Sequence, residues 1–210
     1  MVEARVLIST KSQKLSEAGQ SLCLVTEHLE LRGAKVTDAL SLAEFFRRNR
    51  EHFKPWDPPG PPGRFTAAYW ENNLRRAVDD WNADRALRLH MFEKHDPERV
   101  VGRIGFSQIM RGAFQSCMLG YQLDAACEGR GLMYEALQSA IGFIFDRHLL
   151  HRIQANHLEE NLRSAKLLGR LGFVREGIAP NYLFIGGQWR DHVLNSLINP
   201  NFDASRLGAE

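Results

Sequence analysis

The chain has 210 residues, 44% of them hydrophobic, with 27 basic against 25 acidic side chains and a net charge of +2. That length suits one domain with a substantial core and is short for two. The near-balance of charge excludes a strong general field for nucleic acid or an anionic membrane, and three scattered cysteines (Cys23, Cys117, Cys127) form neither a metal-ligand spacing nor a disulfide framework.

In chain order, residues 1–20 are polar and read as an arm without a signal-peptide core, followed by one domain over 21–200 and a tail over 201–210. No apolar run is long enough to span a membrane, so a reducing, cytoplasmic setting is expected. Thr26–Leu31 alternates as a strand does. Thr37 and Asp38 can cap a helix with apolar positions at Leu40, Ala43 and Phe46. The segment from Phe53 to Gly63 carries five prolines and two glycines and reads as a stiff loop. After Thr66, the spacing of Trp70, Leu74, Ala77, Val78 and Trp81 predicts a helix with one apolar stripe. Ala86–Phe92, Val100–Met110 and Ser116–Leu123 read as strands, with a turn at His95-Asp96-Pro97. Met133–Phe145 is an apolar helix, His151–His157 a strand, and Asn161–Leu171 a helix stopped by Gly172. The strands Asn181–Ile185 and Gln188–Leu197 meet at a Gly186-Gly187 hairpin turn. This order predicts an α/β (α+β) fold: a mixed, mostly antiparallel sheet with helices on both faces.

The most informative segment is Gly129-Arg130-Gly131. It lies between a strand and a helix start. Glycines there permit a tight turn and close approach to a ligand. The helix start offers unpaired N–H groups and a partial positive charge, a seat for phosphate. A kinase-type phosphate loop needs Gly-Lys-Ser/Thr, whereas Leu132 and Met133 follow here. A dinucleotide fingerprint needs a third glycine, and Glu135 stands in its place.

The segment Glu128-Gly129-Arg130-Gly131-Leu132-Met133 resembles the pyrophosphate motif of the GNAT acetyltransferase superfamily. A second superfamily segment matches at Asn161, Ser164, Leu167, Gly172 and Phe173. Residues 26–199 further resemble the RimJ-type ribosomal-protein-alanine N-acetyltransferases. That likeness is carried by His52-Phe53-Lys54-Pro55-Trp56, Arg111-Gly112-Ala113-Phe114, Gly131 to Leu137, and Tyr182 to His192. The resemblance implies a GNAT fold with a splay between the two central strands, Ser116–Leu123 and His151–His157. It implies acetyl-CoA as co-substrate, no metal, and acetylation of the N-terminal amine, often alanine, of a ribosomal protein. Direct nucleic-acid or membrane binding is not expected, and the chain would act as a monomer or homodimer. Cofactor contacts are implied at Leu123, Glu128, Gly129, Arg130, Gly131, Leu132, Met133, Asn156, Asn161, Ser164 and Leu167. A carboxylate at Glu128 is repulsive to phosphate. Leu168 occupies the position where many members carry a tyrosine that protonates the leaving thiolate, so that acid is absent.

The chemistry then asks little of a base. An α-amine has a pKa of about 8, so roughly a tenth is neutral at pH 7. Glu160, beside Glu159, is the candidate base, and equally a helix-start acid favouring the dipole. Ser164 is a candidate proton donor to the thiolate. Asn161 could position cofactor or water, or simply cap its helix. Asp57 could bind the incoming ammonium or stabilise its turn. Trp56, Tyr182 and Trp189 could line the acceptor groove, with Asp191 and His192 near it. Cys127 has no histidine placed to activate it, so a covalent acyl-enzyme is not expected. A small-molecule amine as acceptor, or a CoA-binding module without turnover, are the competing readings.

Overall fold

The computed structural model describes residues 22–207. The arm expected over 1–20 and the end of the expected tail lie outside them. A single eight-stranded sheet runs in the order β1-β2-β3-β4-β5-β6-β8-β7. Its strands are β1 Cys23–Val25, β2 Leu29–Gly33, β3 Leu87–Glu93, β4 Asp96–Met110, β5 Ser116–Leu123, β6 Arg152–Leu158, β7 Val174–Ile185 and β8 Gln188–Ile198. The helices are α1 Ala39–Arg48, α2 Arg50–Phe53, α3 Ala67–Asn82, α4 Leu132–Phe143 and α5 Leu162–Arg170. Every neighbouring pair is antiparallel except β5–β6. Those two parallel strands are joined through α4, because a parallel pair needs a crossover rather than a hairpin.

Alternation along the strands sends side chains to two cores. Leu89, Met91, Ile104 and Phe106 meet Ala136, Leu137 and Ala140 of α4 on one face. On the other, Phe92 and Val100 meet Phe45, Phe46, Phe53, Trp70 and Leu74 of α1, α2 and α3.

Several local expectations change. The strand expected at Thr26–Leu31 begins only at Leu29, as β2; Thr26–His28 is a turn, in which Thr26 Oγ1 accepts from the Leu29 N–H at 3.1 Å, and a further strand, β1, precedes it. The turn at His95-Asp96-Pro97 is tighter, since Asp96 already pairs with Glu93. Strand β7 starts at Val174, seven residues before Asn181. β7 is an edge strand, where Gly177, Pro180 and irregular pairing are tolerated. Leu40 is exposed and the α1 stripe is Leu42, Ala43, Phe45 and Phe46. Neither Thr37 nor Asp38 makes a side-chain cap; a 3-10 turn, Val36–Asp38, leads into α1 instead. Val78 is exposed, and Trp81 is partly buried against the α4 core. Helix α4 ends at Phe143 and widens into a π turn, Ile144–His148. Gly186 and Gly187 both adopt positive φ (62° and 88°), as a two-residue hairpin turn requires.

The feature that positions the site is where β5 and β6 part. Their ladder holds for Ser116↔Arg152, Cys117↔Ile153 and Met118↔Gln154 and then stops. Strand β5 stays paired to β4 as far as Leu123, and β6 to β8 as far as Leu158. The sheet therefore opens as two intact halves. Leu137 is fully buried between α4 and the first half. Leu137→Ala is expected to lower stability by about 2–5 kcal/mol in chemical denaturation, as a large-to-small change in a packed core does.

Candidate active site

A cleft of about 1570 Å³ occupies the opening. On β5, Leu119, Tyr121 and Leu123 turn to the α4 side. Gln122 turns the other way, where its Nε2 donates to Asp57 in the proline loop. The cleft thus connects both faces of the sheet.

On the α4 side, β5 runs into the glycine loop. Gly129 and Gly131 have φ of +75° and +78°, the left-handed region that favours glycine. Gly131 is the N-cap of α4 and no side chain caps that helix, so its first N–H groups remain available to an anion. The preceding turn is clamped. Buried Asp124 pairs with Arg48 and Arg99 and accepts from the Ala126 N–H at 3.1 Å. Burial opposes ionisation of Asp124, but these bonds, led by Arg48, hold its carboxyl below the usual range. Asn49, also buried, accepts from the Ala125 N–H at 3.0 Å.

The carboxylate of Glu128 is not left facing a phosphate. Arg163 bonds it and His52 Nε2 lies 3.4 Å away, so its charge is answered locally. Arg130 contributes only backbone, because its guanidinium reaches away to Glu93. Three basic side chains missed in the sequence, Arg163, Lys166 and Arg170, line the same cleft from α5. Their i, i+3, i+7 spacing puts them on one helix face and was the available signal.

Deeper in, Asn161 Oδ1 accepts from the Ser164 N–H at 3.0 Å and caps α5. Ser164 Oγ lies 2.7 Å from the Tyr121 hydroxyl. Burial pushes the Tyr121 pKa up to about 12 against the opposing hydrogen bond from Ser164, so the phenol keeps its proton at neutral pH. Tyr121 was also missed; nothing in a strand pattern says which residue borders a gap. Leu168 is buried in the core, and the phenol beside Ser164 comes from β5, as Tyr121. Asn156 Nδ2 donates to the Tyr182 hydroxyl at 3.0 Å, while its buried Oδ1 has no partner among the described residues. Leu132, Met133 and Leu167 complete this wall.

On the other side stand Trp56, Asp57, Arg64 and Arg103. Burial raises the Asp57 pKa to about 6, opposed by Arg64, Arg103 and the Gln122 bond. Glu160 lines the cleft but is ion-paired with Arg190. Its own backbone N–H and that pair hold its carboxyl down, which weakens it as a proton acceptor. Trp189 and Asp191 do not reach the cleft. Trp189 packs on Phe184 and is 60% exposed, and Asp191 accepts from the Asn181 N–H at 2.8 Å. The physical reason is strand parity: on β8, His192 faces the cleft, and its odd-numbered neighbours point to the opposite face. Cys127 is buried, and burial raises its thiol pKa, as suits an inert core cysteine. Among the described residues no cluster of His, Cys, Asp or Glu could hold a metal ion, and no helix is long and apolar enough to cross a membrane.

Comparison with known proteins bears on this geometry. The profile of the acetyltransferase (GNAT) domain matches residues 28–174. The ribosomal protein uS5-alanine N-acetyltransferase of Escherichia coli is 38% identical over 183 residues, covering 87% of this chain and 94% of that protein. The crystal structure of the ribosomal-protein-S5-alanine acetyltransferase from Vibrio fischeri superposes with a TM-score of 0.83 at 36% identity, over 87% of this chain and 99% of that one. RimJ of Mycobacterium smegmatis, solved with a CoA disulfide, gives 0.78 at 25% identity, over 90% of each chain. An open central sheet, an uncapped glycine loop and these likenesses converge: the chain belongs to the GNAT acetyltransferases, in the branch of the ribosomal-protein-alanine N-acetyltransferases.

Proposed function

We propose that the protein transfers the acetyl group of acetyl-CoA to the N-terminal α-amine, alanine first, of a ribosomal protein, by direct amine attack in a ternary complex. The observation that carries this is the cleft through the parted sheet, with a phosphate seat on one face and a separate polar pocket on the other. The activities for which the relatives are named suggest the acceptor class.

The residues fit acetyl-CoA. The amides from Gly129 to Met133 receive the pyrophosphate, and Lys166 and Arg170 offer charge to its phosphates while Arg163 holds Glu128. The orphaned Asn156 Oδ1 is an acceptor for a pantetheine amide N–H, since a buried polar atom left unpaired is costly. The pantetheine arm runs along the free edge of β5 as an added strand. The neutral amine attacks the thioester carbon, and the oxyanion is met by a backbone N–H near Leu123. The C–S bond then breaks. The thiolate takes a proton from the Tyr121–Ser164 pair, and the new amide nitrogen yields its proton to Asp57, directly or through water. A carboxylate with a pKa near 6 is a better match to an α-ammonium than ion-paired Glu160.

Purified protein given acetyl-CoA and either Ala-starting ribosomal-protein peptides or small amines separates the acceptor classes. Acetylation of the peptide terminus is expected, and turnover of small amines alone overturns this acceptor. Tyr121→Phe is expected to lower kcat by about 100-fold, the scale of general acid catalysis, with KM for acetyl-CoA little changed in steady-state kinetics. Asp57→Asn is expected to remove the rise in kcat/KM between pH 5 and 7. The same substitution is expected to stabilise the fold. Folded Asp57 holds its proton to about pH 6 against an ordinary 3.8, so stability falls as pH rises from 3.8 to 6 and is level above. Removing the charge restores up to roughly 3 kcal/mol at pH 7, read as a higher Tm.

A further inference from the structure

Arg103 is a buried charge on the proposed acceptor side of the cleft, faced without a bond by the Asp57 carboxylate. It keeps some solvent contact through the cleft while its guanidinium is surrounded by protein. It makes no hydrogen bond or ion pair with any described residue. Its guanidinium carbon lies over the rings of Phe46 and Trp70, at 5.5 and 5.6 Å. His90, its cross-strand partner on β3, is buried and held neutral by that burial. Arg64 stands in the same wall with its guanidinium over Phe46 and Phe65 at 5.5 and 5.4 Å, and likewise makes no ion pair with any described residue. Arg88 is already paired with Asp80. The one carboxylate among these groups is Asp57, whose hydrogen bond goes to Gln122. Two arginines against one carboxylate leave a single surplus positive charge and an unused donor fork. Burying a guanidinium without partners is unfavourable; its five N–H donors match a carboxylate in two parallel bonds.

The floor beside it is open. Gly105 and Gly120 face each other across β4 and β5, and a Cβ on either would meet nothing within 4 Å. A backbone can approach there closely.

We propose that Arg103, supported by Arg64, binds a carboxylate of the acceptor, an acidic side chain within the first few residues of the polypeptide, and so selects which chain termini are acetylated. This rests on the polypeptide acceptor proposed above. A monoanion fits the surplus of one charge, whereas the cofactor's phosphates are held on the opposite face. Gln122, the partner of Arg103 on β5, lies between Tyr121 and Leu123 at the opening. Arg103 is therefore one strand spacing, about 4.8 Å, from the reacting edge. An extended chain advances about 3.3 Å per residue, which puts the carboxylate on the second to fourth residue.

The test uses Ala-starting peptides that are identical except for one Glu or one Gln at position 2, 3 or 4, with the full-length protein and acetyl-CoA. Glu at one of these positions is expected to lower KM about tenfold relative to Gln, an advantage that shrinks with added salt. R103Q is expected to abolish the Glu-over-Gln ratio and R103K to keep only part of it. Equal KM for the Glu and Gln peptides with the unmutated protein, or an undiminished ratio in R103Q, overturns the proposal. The first comparison needs no variant to fold. Binding of the same peptides in the presence of CoA, followed by tryptophan fluorescence, separates the two readings. Absence of acetyl transfer to every peptide sinks the polypeptide acceptor, whereas equal binding of Glu and Gln peptides sinks the carboxylate seat.

Discussion

Two parallel strands that share three register pairs and then separate hold the rest of this structure together. Backbone N–H and C=O groups along a strand demand partners. Here each strand finds them on its outer side only, β5 from β4 and β6 from β8. The inner edges past Met118 and Gln154 stay unpaired, and they line a passage through what is otherwise a continuous sheet. A ligand rich in amides can satisfy those edges as a missing strand would. The same parting brings Tyr121 of β5 within 2.7 Å of Ser164 on the other half, whose backbone N–H is capped by Asn161 at the strand-to-helix turn.

Anchoring the glycine loop is a task shared across the fold. Helix α1 belongs to the second core, yet Arg48 and Asn49 at its end reach the turn before the loop through Asp124 and Ala125. These buried polar contacts leave few alternatives, because breaking one strands a partner away from water. The glycine loop is therefore held by tertiary contacts and not by its own residues, which its two left-handed glycines leave permissive. Charge is distributed in the same divided way. Basic groups on α5 line the cleft on the side of the glycine loop, and Arg64 and Arg103 line it on the side proposed for the acceptor. Asp57, kept partly out of water between them, gives up stability for a proton affinity near neutrality.

Local patterning was legible wherever one element's own residues decide its form. The stripe on α3 from Trp70 to Ala77, the apolar run of α4, the Gly186-Gly187 turn and the stop at Gly172 are set by neighbours three or four residues apart, so they can be read along the chain. The glycine loop, Asn161 and Ser164 carried a family resemblance, and with it the fold. Misreadings fell where a distant partner decides. Leu40 is hydrophobic but meets no neighbouring element, Gly177 and Pro180 are tolerated because β7 lies at an edge, and Trp189 and Asp191 sit one residue out of phase with the cleft.

The sequence by itself determined the mixed sheet, most of the order of its elements and the glycine turn before α4, because hydrophobic period and glycine placement are properties of short stretches. Only the tertiary structure decided which side chains share the cleft. Tyr121 meets Ser164, Glu128 is answered by Arg163, Glu160 is paired with Arg190, and Arg103 makes no hydrogen bond or ion pair with any described residue. Each of those outcomes depends on residues more than twenty positions apart, or on the absence of any. Charge and burial act through space, and a linear pattern does not carry them.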